Sequence, residues 1–260
     1  ERGQWISPMW WNETSFDRTA TIQSLIAISQ KLFGENIFAA HLPSLLSAVI
    51  CLLFTNGLSK ELNINRWIWL PSIILVSTYL WVNNAHLATQ DMAFLMLEVI
   101  GLYCLVKYEK TEISKYAFIS GLTIGPAISI KTGMVVVPII SIMPYILFCN
   151  RKILRCRYLY YGILTGVTPL LIWVINSINL YGFNQISGII NKIKYLSDAE
   201  TYSKSSLYYL WNIPINTFPW SFLSIYGMTK IYNSKDSRNI LLLIIYPIVV
   251  FILLSLFKTK

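Results

Sequence analysis

Residues 67–108 read WIWLPSIILVSTYLWVNNAHLATQDMAFLMLEVIGLYCLVKY, in which two membrane-length apolar runs meet at one acidic residue. The runs cover residues 67–84 and 92–108, and Asp91 stands between them. An ionisable group at membrane depth is costly, and by default it indicates a functional site. Glu98 follows Asp91 by two helical turns on the same face. Asp91 is therefore our first candidate site residue, with a simple helix cap as the alternative.

The composition of the whole chain agrees with this stretch. Hydrophobic residues make up 55% of the 260 positions and charged residues only 13%, against about 25% charged in soluble domains. A helix needs about 20 mostly apolar residues to cross a bilayer. We predict an all-α polytopic membrane protein, because the runs are too long and continuous for barrel strands. They cover residues 36–58, 67–84, 92–108, 116–131, 133–149, 158–180 and 239–257, with a less apolar eighth at 212–231.

Basic residues fall on alternate links between these runs. The links are marked by Lys60 and Arg66; by Lys107, Lys110 and Lys115; by Arg151, Lys152, Arg155 and Arg157; and by Lys230, Lys235 and Arg238. The positive-inside rule assigns such links to the cytoplasm. The Asp91 turn, the Lys131 turn and the 181–211 loop are then expected on the outer face. The net charge of +9 reflects this topology, and we expect no nucleic-acid partner because no recognition motif accompanies it.

The first 35 residues are expected to form an outer loop. Apolar residues recur at helical spacing over residues 22–32, which favours a helix lying in the membrane interface. Trp5, Trp10 and Trp11 fit either an ordinary aromatic belt or a groove for a lipid or sugar. Asp17 and Arg18 place an acid and a base in the same loop.

Lys131 separates two apolar runs and has two interpretations. Long cationic side chains at helix ends commonly extend to the lipid headgroups. Alternatively, Lys131 could hold a phosphate together with Arg18 and Lys258, since lysine is a compact three-donor phosphate partner. The four cysteines and two histidines show neither a disulfide framework nor the spacing of a metal site.

Several short motifs, in order along the chain, resemble one family. The run GQWISP at residues 3–8 is followed by FDR at 16–18, LFG at 32–34, HLPS at 41–44, TQDM at 89–92, KTG at 131–133, FPW at 218–220 and SLFKTK at 255–260. Together they resemble the bacterial dolichyl-phosphate-mannose-protein mannosyltransferase-like family, which includes the lipid A aminoarabinose transferases. The resemblance implies the GT-C glycosyltransferase fold, a polytopic helical bundle with interfacial helices in its first outer loop.

The sequence departs from the family pattern at three places. Arg18-Thr19 stands where Lys-Pro is usual, His41 where Arg is usual, and Thr132 interrupts a Lys-Gly pair. The family's early outer aspartate would lie upstream of Glu1. We therefore expect residues 1–260 to be one partial glycosyltransferase domain, a fragment without its first helix and its C-terminal part. Residues 1–35 would be the outer loop and residues 36–260 would carry seven to eight transmembrane helices.

The resemblance implies a reaction at the outer face of a bacterial inner membrane. Such enzymes move a sugar from a polyprenyl-phosphate carrier to a lipid, glycan or protein acceptor. The leaving phosphate needs cations, and the acceptor needs a carboxylate that takes or orients its proton. We assign Asp91 as the catalytic acid that orients the acceptor or organises the site, while the resemblance favours the family's upstream aspartate as the base. The expected substrate-binding residues are Asp17, Arg18, Lys131, Lys258 and Lys260. No cofactor is certain, and a divalent metal is possible.

A second function class fits the same carboxylates. In a transporter or lipid flippase, Asp91 and Glu98 would relay protons or cations within the bundle. Interrupted helices in repeated halves would favour that function, but no internal repeat is visible. The interfacial helix favours an enzyme that acts on substrates carried by membrane lipids.

Overall fold

The structure is a computed structural model that describes residues 5–7, 9–10, 13–14, 19–63, 67, 69–198 and 208–256. Two short antiparallel strands, β1 (Met9–Trp10) and β2 (Glu13–Thr14), pair near the start of the chain. The other regular elements in these ranges are helical, as the sequence predicts.

Helices account for most of the described residues. In chain order they are α1 (Thr21–Phe33), α2 (Ile37–Glu61), α3 (Leu70–Val76), α4 (Tyr79–Ala85), α5 (Asp91–Thr111), α6 (Ser114–Leu122), α7 (Ile124–Ile130), α8 (Val136–Cys149), α9 (Arg151–Arg155), α10 (Arg157–Tyr181), α11 (Asn184–Asp198), α12 (Tyr208–Asn216), α13 (Trp220–Ser234), α14 (Ser237–Ile240) and, after a π-helical turn at Leu241–Ile245, α15 (Tyr246–Leu256).

Three helical stretches among the described residues are long and apolar enough to cross a membrane. They are Ile37–Glu61, Arg157–Tyr181 and Ser237–Leu256. Their bounds agree within three residues with the predicted runs 36–58, 158–180 and 239–257. The other predicted spans correspond to shorter, interrupted or more polar helices, so the total of seven to eight crossings stays a prediction.

Two of the predicted spans are broken by identifiable residues. The run 67–84 divides into α3 and α4 where Ser77 and Thr78 both donate their hydroxyls to Ile74 O, at 2.9 and 2.8 Å. Such local bonds compete with the helical ladder. The run 116–131 divides at Thr123 into α6 and α7. Pro126 explains this break, because its ring clashes with the carbonyl four residues earlier, at Leu122.

Helix α5 lies at the centre of the packing. It contributes Leu105, Val106 and Tyr108 to a buried apolar cluster with α6, α8 and α9. It contributes Met92 to a cluster with α2 and α4, and Ala93 to one with α1 and α7. The position of Asp91 at the first residue of α5 is therefore fixed by the core of the protein.

Glycines bring α6 and α7 into backbone contact with α10. Gly121 and Gly125 are four residues apart, as are Gly162 and Gly166. A Cβ atom added to Gly125 would lie 2.0 Å from the carbonyl of Gly166, and one added to Gly162 would lie 2.0 Å from Phe118 O. Small residues at this spacing allow such close crossings in membrane proteins.

The segments expected on the outer face are more helical than the sequence indicates. The helix expected over residues 22–32 is present as α1, which packs against α2 and α7 and leaves Leu25, Ile28 and Leu32 exposed. Its location in the membrane interface stays a prediction. The 181–211 stretch, which we predicted as a loop, contains α11 and the start of α12.

Candidate functional site

The structure brings Asp91 and Lys131 together, although they are 40 positions apart in sequence. Lys131 Nζ donates a hydrogen bond to Asp91 Oδ1 and forms an ion pair with it. Asp91 opens α5, where a negative charge is favoured by the helix dipole. Lys131 follows the last residue of α7, and its backbone N–H still bonds to Ala127 O at 2.9 Å. The ends of these two helices therefore create the pair.

The pair is partly accessible. The side chain of Asp91 is 42% exposed and that of Lys131 is 21% exposed. Lys131 Nζ also lies 5.8 Å from the centre of the Phe94 ring, within the range of a cation–π interaction. Both groups keep hydrogen-bonding capacity beyond the bond they share, because a carboxylate has two oxygens and an ammonium has three protons.

These contacts bear on the two simpler interpretations left open by the sequence. The residue that precedes α5 is Gln90, and it forms no side-chain cap bond. Asp91 sits one position later, with its carboxylate on Lys131 rather than in the cap position. Lys131 is directed towards α5 by its bond to Asp91, and its phosphate-binding role stays a prediction.

A cavity of about 640 Å³ adjoins Asp91. Its walls come from α2, α3, α4, α5, α12 and α13, and most of its lining is apolar. The polar exceptions include Asn84, Ser221 and Ser224. Trp220 Nε1 donates a bond of 2.9 Å to Ser77 Oγ, which attaches α13 to the break between α3 and α4. The cavity is thus mainly apolar with the charged Asp91 in its wall, while Lys131 adjoins it through its bond to Asp91 and is not itself a lining residue. A mainly apolar cavity with a few polar groups suits an amphiphilic ligand.

Glu98 does not share the site of Asp91. It receives a hydrogen bond from Tyr246 Oη, which ties α5 to the first residue of α15. Both residues line a second cavity, of about 180 Å³, between α5, α6, α7, α8 and α10. The two carboxylates thus take different partners and line different cavities, and the described contacts give no support to the relay of a transporter.

The remaining predicted site residues, Asp17, Arg18, Lys258 and Lys260, lie outside the described residues. Thr19, the residue after Arg18, contacts α7, because its Oγ1 donates a hydrogen bond to Ser129 O. Within the described part of the chain, no group of three or more His, Cys, Asp or Glu side chains could hold a metal ion.

Sequence reasoning missed the wall of the cavity formed by α12 and α13. Its only local signal was the hydroxyl spacing of Thr217, Ser221 and Ser224, which repeats at four and three residues. That spacing predicts a shared helical face, but it does not indicate which cavity the face lines.

Solved structures give the first comparison. The crystal structure of ArnT from Cupriavidus metallidurans bound to undecaprenyl phosphate superposes with a TM-score of 0.86 and 16% identity, over 99% of this chain and 49% of that one. The apo structure of the same protein gives a TM-score of 0.84, also at 16% identity, over 100% and 48%. The expected GT-C-type membrane bundle is thereby confirmed at the level of the fold.

Sequence relatives point the same way. The undecaprenyl phosphate-α-4-amino-4-deoxy-L-arabinose arabinosyl transferase of Shewanella sediminis is 21% identical over all of this chain and 49% of its own length. Transferase 2 of that description from Proteus mirabilis is 22% identical over 99% of this chain and 48% of its own. The chain thus spans about half the length of these relatives.

Family membership is established by a match that covers more than half of the chain. The family described as dolichyl-phosphate-mannose-protein mannosyltransferase matches residues 17–175, which include the Asp91–Lys131 pair. The resemblance noted from short motifs is confirmed, and the chain belongs to the dolichyl-phosphate-mannose-protein mannosyltransferase family.

Proposed function

We propose that the full-length protein is a membrane glycosyltransferase that moves a sugar from a polyprenyl-phosphate carrier to an acceptor at the extracytoplasmic face of a bacterial inner membrane. The observation that carries the proposal is that Asp91, in the wall of an apolar cavity, forms an ion pair with Lys131. Family membership and the names of the relatives support the same reaction class.

The proposed donor has two chemically different parts, and the site offers a surface to each. A prenyl chain is apolar and suits walls built from side chains such as Leu75, Leu95 and Val99. Its phosphate carries negative charge, which increases on the leaving oxygen as the bond to the sugar breaks. A cation placed beside that oxygen stabilises the transition state. Lys131 is the candidate for this task within the described residues.

Asp91 would have a different role. In the transfer, an acceptor oxygen attacks the anomeric carbon, the bond from that carbon to the phosphate oxygen breaks, and the acceptor proton passes to a base. Asp91 holds Lys131 by a charge-assisted bond and leaves its second oxygen free to orient an acceptor or take its proton. Arg18, Asp17, Lys258 and Lys260 remain candidates from the family resemblance alone.

Binding of undecaprenyl phosphate to the purified full-length protein tests this assignment. Lys131→Ala should weaken binding by about 10- to 100-fold, the usual loss for a hydrogen bond to a charged group. Lys131→Arg should retain most of the affinity, which separates loss of charge from misfolding. Lys60→Ala, on the face expected to be cytoplasmic, is the matched control. Unchanged affinity in Lys131→Ala would remove this residue from the donor site.

The sugar and the acceptor require a cellular measurement. Mass spectrometry of lipids and glycans, from cells with and without the full-length gene, should reveal a glycan that loses one sugar in the deletion strain. An unchanged glycan profile with altered uptake or lipid distribution would favour the transporter alternative instead.

A further inference from the structure

Four exposed basic side chains surround the junction between α9 and α10. They belong to Arg151, Lys152, Arg155 and Arg157. This junction lies on the face that the positive-inside rule assigns to the cytoplasm, at the far end of α5 from the Asp91–Lys131 pair.

The backbone beneath these cations is held in place by buried contacts. Ile153 is fully buried in the cluster shared with α5, α6 and α8. Asn150, which precedes α9, donates its side-chain N–H to Leu105 O at 3.0 Å. Tyr160 Oη donates to Leu154 O at 2.7 Å, which connects α9 to the first turn of α10. The cations are thus presented by an anchored segment and not by a loose loop.

The charge of this group is largely unbalanced. Lys152 pairs with Glu112, and Arg151 Nε bonds to Leu147 O. Arg155 and Arg157 have no acidic partner among the described residues. Moreover, α10 begins at Arg157 without an acidic residue in its first turn, so the positive end of the helix dipole adds to the side-chain charges.

Three other cations on the same expected face have acidic partners. Lys107 and Lys110 lie 3.6 and 3.4 Å from the carboxylate of Glu61. Arg238 lies 3.6 Å from Glu109. Lys60, Lys115, Lys230 and Lys235 have no acidic partner among the described residues either, but they are spread over three separate links, whereas the α9–α10 junction carries four cations within seven residues.

We propose that Arg151, Lys152, Arg155 and Arg157 form a binding site for the headgroup of an anionic phospholipid. Clusters of about four or more basic residues next to a membrane-spanning helix attract anionic lipids, and α10 is one of the spans. Exposed aromatic side chains lie beside the cluster, at Phe148, Tyr158 and Tyr161. Such rings typically sit at the boundary between headgroups and hydrocarbon, where the lipid would be bound. The site does not depend on the proposed transfer reaction.

Lipid retention by the full-length protein tests the proposal. The protein would be placed in nanodiscs of equal phosphatidylglycerol and phosphatidylcholine, partly delipidated, and the retained lipids counted by mass spectrometry. Wild type should retain phosphatidylglycerol preferentially. Arg155→Gln/Arg157→Gln should lower that preference by about 25-fold, since each cation near an anionic surface contributes about fivefold. Arg155→Lys/Arg157→Lys should keep most of it, because the charge remains.

Lys230→Gln/Lys235→Gln removes two exposed cations from the same expected face and should leave the preference unchanged. Equal lipid ratios for wild type and Arg155→Gln/Arg157→Gln would overturn the proposal, as would an equal loss in the Lys230/Lys235 control. Loss of the preference in millimolar inorganic phosphate would assign the site to free phosphate rather than to a lipid.

Discussion

Lys131, just past the end of α7, donates a hydrogen bond to the carboxylate of Asp91 at the start of α5. Asp91 would therefore compete with a bound phosphate for Lys131, because both anions would interact with the same ammonium group. Asp91→Asn removes the negative charge but keeps the size of the side chain. In the full-length protein we expect turnover in the proposed transfer to fall by about 10²–10⁴-fold, the range typical of a general base, while affinity for undecaprenyl phosphate does not decrease.

Steady-state kinetics and a separate binding measurement would distinguish these two effects. Folding serves as the control. Since the pair is partly exposed, its loss should cost no more than about 1 kcal/mol of stability, and the melting temperature should change little. Full turnover in Asp91→Asn would reduce this carboxylate to a structural counter-ion of Lys131.

The double variant Asp91→Asn/Lys131→Ala tests whether the two residues act as a unit. Groups in direct contact usually show coupling energies of about 0.5–3 kcal/mol. We expect the loss of turnover in the double variant to be smaller than the combined losses of the single variants, because either change already breaks the pair. Strict additivity of the three rate effects would mean that the residues work independently.

The sequence singles out both Asp91 and Lys131 but does not predict that they pair, for a physical reason. A carboxylate between two apolar runs is conspicuous, because its local context makes it costly. Which helix end approaches it depends on the crossing of α5 and α7, and that crossing depends on the break at Thr123 and on the glycine contacts with α10. Hydropathy reports the length of a helix but not its neighbours.

Other differences have local causes that hydropathy alone cannot show. The run 67–84 has no charged residue to interrupt it, yet Ser77 and Thr78 divide it by bonding to the carbonyl of Ile74. The charged and aromatic residues of the 181–211 stretch led us to predict a loop. The same stretch contains an amphipathic pattern within α11, in which Ile186, Ile189 and Ile190 recur at helical spacing. A periodicity count would have found this helix.

Tyr246→Phe should destabilise the protein without entering the proposed chemistry. The hydroxyl of Tyr246 donates to Glu98, and its removal leaves a buried acceptor unsatisfied, at a cost of about 1–3 kcal/mol. Thermal unfolding of the purified protein would measure this cost. Tyr226→Phe, which alters an exposed ring on α13, is the matched control. An unchanged melting temperature in Tyr246→Phe would show that the carboxylate has another partner.

The assignment of faces can be checked with single cysteines in a background without native cysteines. Ser187 on α11 and Ser234 at the end of α13 are both exposed. The alternating basic links place the first outside and the second in the cytoplasm. The cells would have a permeabilised outer membrane and an intact inner membrane. A thiol reagent that cannot cross the inner membrane should then label Ser187→Cys and not Ser234→Cys. The reverse pattern would invert the topology, and with it the proposed side of the reaction.

The crossing of α7 and α10 gives the sharpest prediction about stability. A methyl group at Gly125 would lie 2.0 Å from the backbone of Gly166, and backbone atoms cannot move aside as a flexible side chain can. Gly125→Ala should therefore cost at least the 1–3 kcal/mol typical of overpacking, which lowers the melting temperature by about 3–10 °C.

Gly227 provides a control for Gly125→Ala, because the same substitution there is expected to have the opposite effect on stability. It lies inside α13 with nothing within 4 Å of an added Cβ. Gly227→Ala should therefore be neutral or stabilise the protein by about 0.5–1 kcal/mol through the lower flexibility of the unfolded chain. Thermal unfolding of the full-length protein and its monodispersity in detergent would compare the two variants. Because Gly125 lies six residues before Lys131, its substitution should also displace the end of α7 and weaken undecaprenyl phosphate binding. Equal melting temperatures for Gly125→Ala and Gly227→Ala would contradict the close contact of the two helices.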